Sequence, residues 1–466
     1  MVFHGYSAAD VDLIVRGGTL ANGSTVDIGI DGERIVQLGG EMNAPHEIDA
    51  RGKLVLPGGV DAHVHLSSAP VERSGPAWVD DFTSGSAAAL AGGVTSVGNM
   101  TFGGPDESLL DALARESLQV RRQAIADVFL HPVLGRPDAR NLADIARLPE
   151  AGCSSIKVFL SNPRFDQELD GYLDAIRLAG HTGLLSMLHC EDAAAIRFAT
   201  ARLVEDGQTS LRFFAESRPI AAEVVATQRA VAIAELTGAS VYIVHLSSAR
   251  ALEVCAAARS RGVPIYVETR PLYLYLTSEV FDAADAGRFI GQPPLREQSD
   301  VDALWVGLRA GLIDTVCTDH APWSLAAKLD PAHDIEHLRP GVENLQMLLP
   351  MLYSEGVRRG RISLARLVEL TSTNAARLFG LYPRKGAIAV GSDADLVVFE
   401  PDLERTVTAA MLESNADYSV YEGWRVTGWP VVTVRRGEVV FRDDAIVGVA
   451  GSGQVLACGP ATMRWR

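Results

Sequence analysis

Pro57-Gly58-Gly59-Val60-Asp61-Ala62-His63-Val64-His65-Leu66 is the stretch on which the reading of this chain turns. Side chains two apart on a strand leave from the same face, so His63 and His65 can grip one metal ion. Alone, an H-x-H pair says little, because a single histidine is more often a plain surface or core residue. Its weight comes from residues farther along the chain. Lys157, His189, His245 and Asp319 each stand at the end of a short apolar run, at the intervals of successive strand and helix units.

Working outward, the strands are predicted at 60–66, 94–100, 127–133, 155–160, 184–189, 241–246, 264–270 and 315–319. Helical patterns fall between and after them, at 80–90, 221–237 and 364–379. Eight such units predict a (β/α)8 TIM barrel, in which reacting groups sit at the C-terminal ends of the strands. The flanks have another texture. Short β-prone segments at 12–16, 24–30, 34–39 and 54–56 are punctuated by Gly17-Gly18, Asn22-Gly23 and Asp31-Gly32, and similar segments return at 395–399, 431–435 and 438–441 around an Arg436-Gly437 turn. The class is therefore α/β: a barrel over 57–384, with a small β-sandwich domain built from both chain ends, 1–56 plus 385–466.

With 466 residues, 47% of them hydrophobic, the chain has material for one large core and a smaller one. The net charge of -16 argues against a nucleic-acid partner or an anionic membrane surface and points to small-molecule chemistry. Five scattered cysteines form no disulfide framework, residues 1–10 lack a signal-peptide layout, and no apolar run reaches spanning length, so a cytoplasmic location is expected.

Histidines and an aspartate offer nitrogen and oxygen ligands suited to Zn²⁺ or a similar ion. A lysine ammonium is no ligand. Lys157 becomes one only if its neutral amine captures CO2, giving a carbamate whose two oxygens can bridge two cations. Read singly, Lys157 could be a buried lysine paired with a carboxylate, and His189 and His245 core histidines with satisfied nitrogens. His131, His320, Glu191 and Glu268 read as supporting or structural residues.

On these residues the chain resembles the cyclic amidohydrolases of the dihydropyrimidinase and hydantoinase group, with allantoinase and dihydroorotase as relatives. The resemblance is carried by the opening stretch and by Ile156-Lys157-Val158-Phe159, Leu188-His189-Cys190-Glu191, Tyr242-Ile243-Val244-His245, Thr318-Asp319-His320 and Pro340-Gly341-Val342-Glu343. Phe379-Gly380-Leu381-Tyr382-Pro383-Arg384-Lys385-Gly386 and Gly391-Ser392-Asp393-Ala394-Asp395-Leu396 complete it. It implies two divalent metal ions: His63, His65 and Asp319 on one, His189 and His245 on the other, and carbamylated Lys157 on both. Asp319 would also move the proton from a metal-bridging hydroxide to the leaving ring nitrogen. A small cyclic amide substrate and a homo-oligomer, dimer or tetramer, are implied with it.

Three substrate-contact positions depart from the group's usual residues: Asn162 in place of a tyrosine, Gln292 before Pro293-Pro294-Leu295-Arg296-Glu297, often a serine in relatives, and His337 in place of an asparagine. Ser67 stands where dihydroorotases carry an arginine. Arg270, where relatives tend to have a cysteine, could pair with a substrate carboxylate or form a structural ion pair with a loop carboxylate such as Glu297; the first would favour rings with a polar or anionic substituent. An allantoinase, a hydrolase of linear amides on the same barrel, and a non-catalytic scaffold are the alternatives, the last opposed by retention of all six ligand types.

Overall fold

The structure, a computed structural model, describes residues 9–66 and 77–463; Ser67 and most of the N-terminal stretch lie outside them. Eight parallel strands run in sequence order: Gly59–Val64, Val94–Phe102, Asp127–Val133, Ser155–Phe159, Leu185–His189, Val241–Ile243, Ile265–Thr269 and Thr315–Val316. The last rejoins the first through a parallel bridge between Val64 and His320, whose carbonyl accepts the His65 N–H at 2.7 Å. That contact closes the barrel. Inside, Val60, Ala62, Met100, Phe129, Met187 and Tyr242 pack with Leu378 and Phe379, while Ile156, Val158, Leu188, Val241, Ile243 and Val267 belong to the larger apolar cluster shared with the helices.

Glycine is required at the barrel's entry. A Cβ on Gly58 would lie 2.2 Å from Thr95 Oγ1, so only a glycine lets the first strand approach the second this closely. The helix Phe82–Ala91 starts later than the sequence pattern suggests, because Asp81 caps it by accepting from the Thr83 and Ser84 N–H groups. Asp80, expected inside it, turns inward to His320 Nε2 at 2.8 Å.

A second, mixed sheet of nine strands draws on both chain ends. Leu54–Pro57 pairs with Leu396–Thr406 on one side and with Leu13–Thr19 on the other, which joins the N-terminal strands to Arg425–Arg435 and Glu438–Arg442. Its core is Val15, Ile28, Ile30, Ile35, Val55, Leu396, Val398 and Val434. Arg436 (φ 47°) and Gly437 (φ 79°) make the tight hairpin turn their dipeptide predicts. The strand His46–Asp49, paired with Leu13–Thr19, has no counterpart in the sequence reading. Among the described residues no helix is long and apolar enough to cross a membrane, and the five cysteines are free thiols.

Candidate active site

His63 is the last residue but one of the first barrel strand and His65 directly follows that strand, their ring centroids 5.4 Å apart. Asp319, three residues past the eighth strand, brings Oδ1 to 3.2 Å from His63 Nε2 and 2.9 Å from His65 Nε2. These three residues offer ligand atoms all within 4.8 Å of one another, a group that can hold a metal ion. His189, at the end of the fifth strand, and His245, just past the sixth, have ring centroids 4.5 Å apart, and His245 lies 5.5 Å from His63. Lys157 is fully buried on the fourth strand, with Nζ 5.1 Å from the centre of the Phe159 ring.

The backbone is strained where it turns these side chains inward. His245 (φ 40°) and Asp319 (φ 50°) occupy the left-handed region that non-glycine residues rarely enter. For the same reason the sixth and eighth strands end at Ile243 and Val316, earlier than their apolar runs suggest.

A layer of carboxylates orients the histidines. Glu268 Oε1 accepts from His63 Nδ1 at 2.8 Å and from the His245 N–H at 2.9 Å, while its Oε2 accepts from the Tyr242 hydroxyl at 2.7 Å. His189 Nε2 meets Glu191 Oε2 at 2.8 Å, and Glu191 is gripped through both oxygens by Arg218 at 3.0 and 2.6 Å. Asp61 accepts from Thr318 Oγ1 at 2.5 Å and from the His63 N–H at 3.1 Å, tying the two strand ends that carry His63 and Asp319. With their outer nitrogens taken, His63 and His189 direct the other nitrogen into the site.

Burial disfavours charge throughout. It lowers Lys157 to about 8 against partial opposition from Asp319 and Glu268, and lowers His65 to about 4. Burial alone would raise Asp319 and Glu191. His63, Arg270 and His65 instead hold the Asp319 carboxyl well below the usual carboxylate range, and Arg218 and His189 bring Glu191 to about 2. Lys157 Nζ, His65 Nδ1 and His245 Nδ1 are buried with no hydrogen-bond partner. An unpartnered buried amine facing nitrogen donors and a carboxylate is what a cation or an anionic carbamate would satisfy, so this donor set fits divalent metal.

The cleft above these residues encloses about 770 Å³ and is lined by Trp78, Phe102, Phe159, Ser161, Asn162 and Gln292 among others. His65, Trp78 and Phe102 form an aromatic wall with centroid separations of 4.9 and 5.8 Å. Asn162 caps the short helix Pro163–Gln167, its Oδ1 accepting from the Arg164 N–H at 3.0 Å. His337 stands apart from the described cleft lining: it is exposed on a loop and paired with Asp334 at 3.1 Å. Arg270 forms an ion pair within the protein, but with Asp319 in place of a loop carboxylate such as Glu297, and its Nη2 has no hydrogen-bond partner among the described residues. Only 1% exposed, Arg270 sets Nη1 3.3 Å from Asp319 Oδ2 and donates through Nε to the Thr318 carbonyl at 3.2 Å, so its charge serves the site's own carboxylate. Of the residues read as supporting, His131 is buried in the barrel against Ser155 Oγ at 2.5 Å.

Arg218, Asp61, Thr318 and Trp78 were not singled out from sequence. Asp61 lies inside the opening stretch, and its place two residues before His63 was the available signal. Arg218 offered none, since its partner is 27 residues away.

A model of the Amidohydrolase family matches residues 54–440. The D-hydantoinase of Ralstonia pickettii is 35% identical over 454 residues, spanning 96% of this chain and 98% of that protein. A D-phenylhydantoinase of Escherichia coli O1:K1 / APEC is 37% identical over 462 residues, with the same shares covered. The solved structure of a D-hydantoinase from a Bacillus sp. AR9 superposes with a TM-score of 0.91 at 37% identity, over 96% of this chain and 99% of that one.

Proposed function

The chain belongs to the amidohydrolase family, and from that premise we propose that it hydrolyses a ring C–N bond of a cyclic amide or ureide of the hydantoin or dihydropyrimidine kind. The product is the ring-opened acid. The observation that carries the reading is the convergence of His63, His65, His189, His245 and Asp319 around Lys157, whose buried Nζ has no partner.

In this reading His63, His65 and Asp319 hold one divalent cation, His189 and His245 a second, and Lys157 both, as a carbamate. Zn²⁺ suits the donor set. A Lys157 amine brought to about 8 is partly neutral near neutral pH and free to add CO2. When bound, the metal ions supply Lewis-acid polarisation and lower the pKa of water. The chain's own groups do the rest. Asp319, held ionised by His63, Arg270 and His65, accepts the proton lost when water adds to the ring carbonyl, and returns it to the ring nitrogen as the C–N bond breaks. Glu268 and Glu191 keep the histidines oriented. Ser161, Asn162 and Gln292 offer polar atoms to the ring's amide groups, and Trp78, Phe102 and Phe159 offer an apolar seat to its substituent. With Arg270 engaged by Asp319, those aromatic walls favour an apolar substituent over an anionic one.

Assembly into a dimer or tetramer is supported by the helix Ala193–Glu205, on which only Ala193 is buried and Phe198 is 72% exposed; sedimentation measures it. The free thiols agree with a cytoplasmic setting.

The test is a substrate panel on metal-analysed protein: 5-phenylhydantoin, hydantoin, dihydrouracil, allantoin and a linear β-amide. Ring opening of the first, two metal ions per chain, and loss of both metal and turnover in Lys157→Ala are the expected results. Full activity after exhaustive chelation, or preference for the linear amide, overturns the reading.

A further inference from the structure

Lys328, the last residue of the short helix Leu325–Lys328, is 1% exposed, and its Nζ donates to three main-chain carbonyls: Ile290 at 2.7 Å, Arg339 at 2.7 Å and Gly341 at 2.8 Å. Three acceptors match the three protons of an ammonium. No carboxylate pairs with it among the described residues. Burial and then the like charge of Arg270 disfavour the charged form, and the three carbonyl acceptors are what oppose them and keep the third proton in place. A buried charge without a counter-ion is a costly way to fill space, and an apolar side chain of similar size would pack there at less cost. What the ammonium supplies is a junction at the point where the segments around Ile290 and Gly341 already meet, with Arg339 drawn into it.

Those segments form one wall of the cleft. Ile290 stands two residues before Gln292, and Arg339 and Gly341 flank Pro340; Gln292, Pro340 and Gly341 all line the cleft. The Gly341 N–H also donates to the Ile290 carbonyl at 3.0 Å, so the two segments meet at the atoms Lys328 binds. Gly341 adopts φ 117°, and a Cβ there would lie 2.4 Å from the Ala321 carbonyl oxygen, two residues beyond Asp319. The wall is thus pinned to the strand end that carries Asp319. Trp323 adds a bond from Nε1 to the Pro340 carbonyl at 2.8 Å.

We infer that Lys328 is a positioning residue for substrate recognition, its ammonium joining residues 290–292 to residues 339–341 as one rigid wall and so fixing where a ring and its substituent sit. The inference rests on the ring-opening activity proposed above. Lys328 touches neither the donor residues nor the reacting atoms, so its removal acts on binding.

The experiment compares wild type, Lys328→Met and Lys385→Met, with 5-phenylhydantoin and dihydrouracil as substrates, and measures kcat, KM, metal content and melting temperature. Lys385 is a buried lysine outside the site and reports generic destabilisation. Expected for Lys328→Met is a KM raised about tenfold or more, unequally for the two rings, with kcat within about threefold and metal content unchanged. Lys385→Met is expected to lose melting temperature with KM unmoved. Unchanged KM for both rings in Lys328→Met, or a fall in kcat that follows loss of metal, overturns the inference. Should Lys328→Met not fold, Lys328→Gln and Lys328→Arg carry the same test, and failure of all three to fold assigns the lysine to folding alone and overturns it too. A wild type inactive on both rings, with metal bound, instead sinks the proposed activity.

Discussion

Asp319 divides its two oxygens between different tasks: Oδ1 faces His63 and His65, and Oδ2 faces Arg270. A neutral amide at this position could accept from one side but would meet the other with an N–H, and it cannot take a proton. Asp319→Asn is expected to lower kcat by roughly 10²–10⁴, the usual worth of a positioned proton-transfer group. Steady-state kinetics beside metal analysis separates that loss from loss of the ion. Residues of this kind were legible in the sequence because their chemistry is rare at strand ends. Arg270 was legible only as an arginine. Its partner Asp319 is 49 positions along the chain and the pair exists because both strand ends close on one barrel mouth, a relation that no local pattern encodes.

At the scale of elements, strand positions were readable from apolar runs, but strand ends were not. The left-handed turns at His245 and Asp319 cut two strands short, and nothing about a histidine or an aspartate in sequence announces a φ of 40° or 50°. The stretch 364–379, read as one helix, contains a π-helical turn, Glu369–Thr373, between the α-helices Leu364–Val368 and Asn374–Leu378. There the Ser372 hydroxyl donates to the Gly58 carbonyl at 2.6 Å and the Asn374 amide donates to the Asp314 carbonyl at 2.8 Å, tying the turn to the starts of the first and last barrel strands. The segment before the helix Ile220–Thr237 makes a sharper prediction. Its Arg218 holds Glu191 and, through it, His189; Arg218→Met leaves that carboxylate buried with a single partner. Metal affinity is expected to fall about 10–100-fold, the usual cost of losing an orienting group, as read by titration against a competing chelator with circular dichroism unchanged.

The whole molecule is held at the other end of the barrel by a second charged cluster. Lys385, fully buried, reaches Asp127 at the start of the third strand at 2.6 Å, Asp395 at 2.7 Å and Asp393 at 3.0 Å, with Asp395 also bound by Thr95 of the second strand. This fastens the barrel to the sheet made from both chain ends. Lys385→Met would leave the buried Asp395 without a cation, while Asp127 keeps Arg436 and Asp393 keeps Arg34; breaking a buried pair in this way typically costs about 3–5 kcal/mol. Denaturant unfolding should register it as a lower midpoint.

The bond from His65 Nε2 to Asp319 spans 254 residues of chain. At roughly 5–20 residues per second, the ribosome needs roughly 13–50 seconds to deliver the second partner after the first. Through that interval the nascent polypeptide exposes its histidine pair and its first strands with nothing to close against, and Leu54–Pro57 waits longer still for Leu396–Thr406. Competence in this protein therefore arrives late in synthesis and in two steps: the barrel can shut only once residues 319–320 have been made, and the sheet only once Leu396–Thr406 has followed.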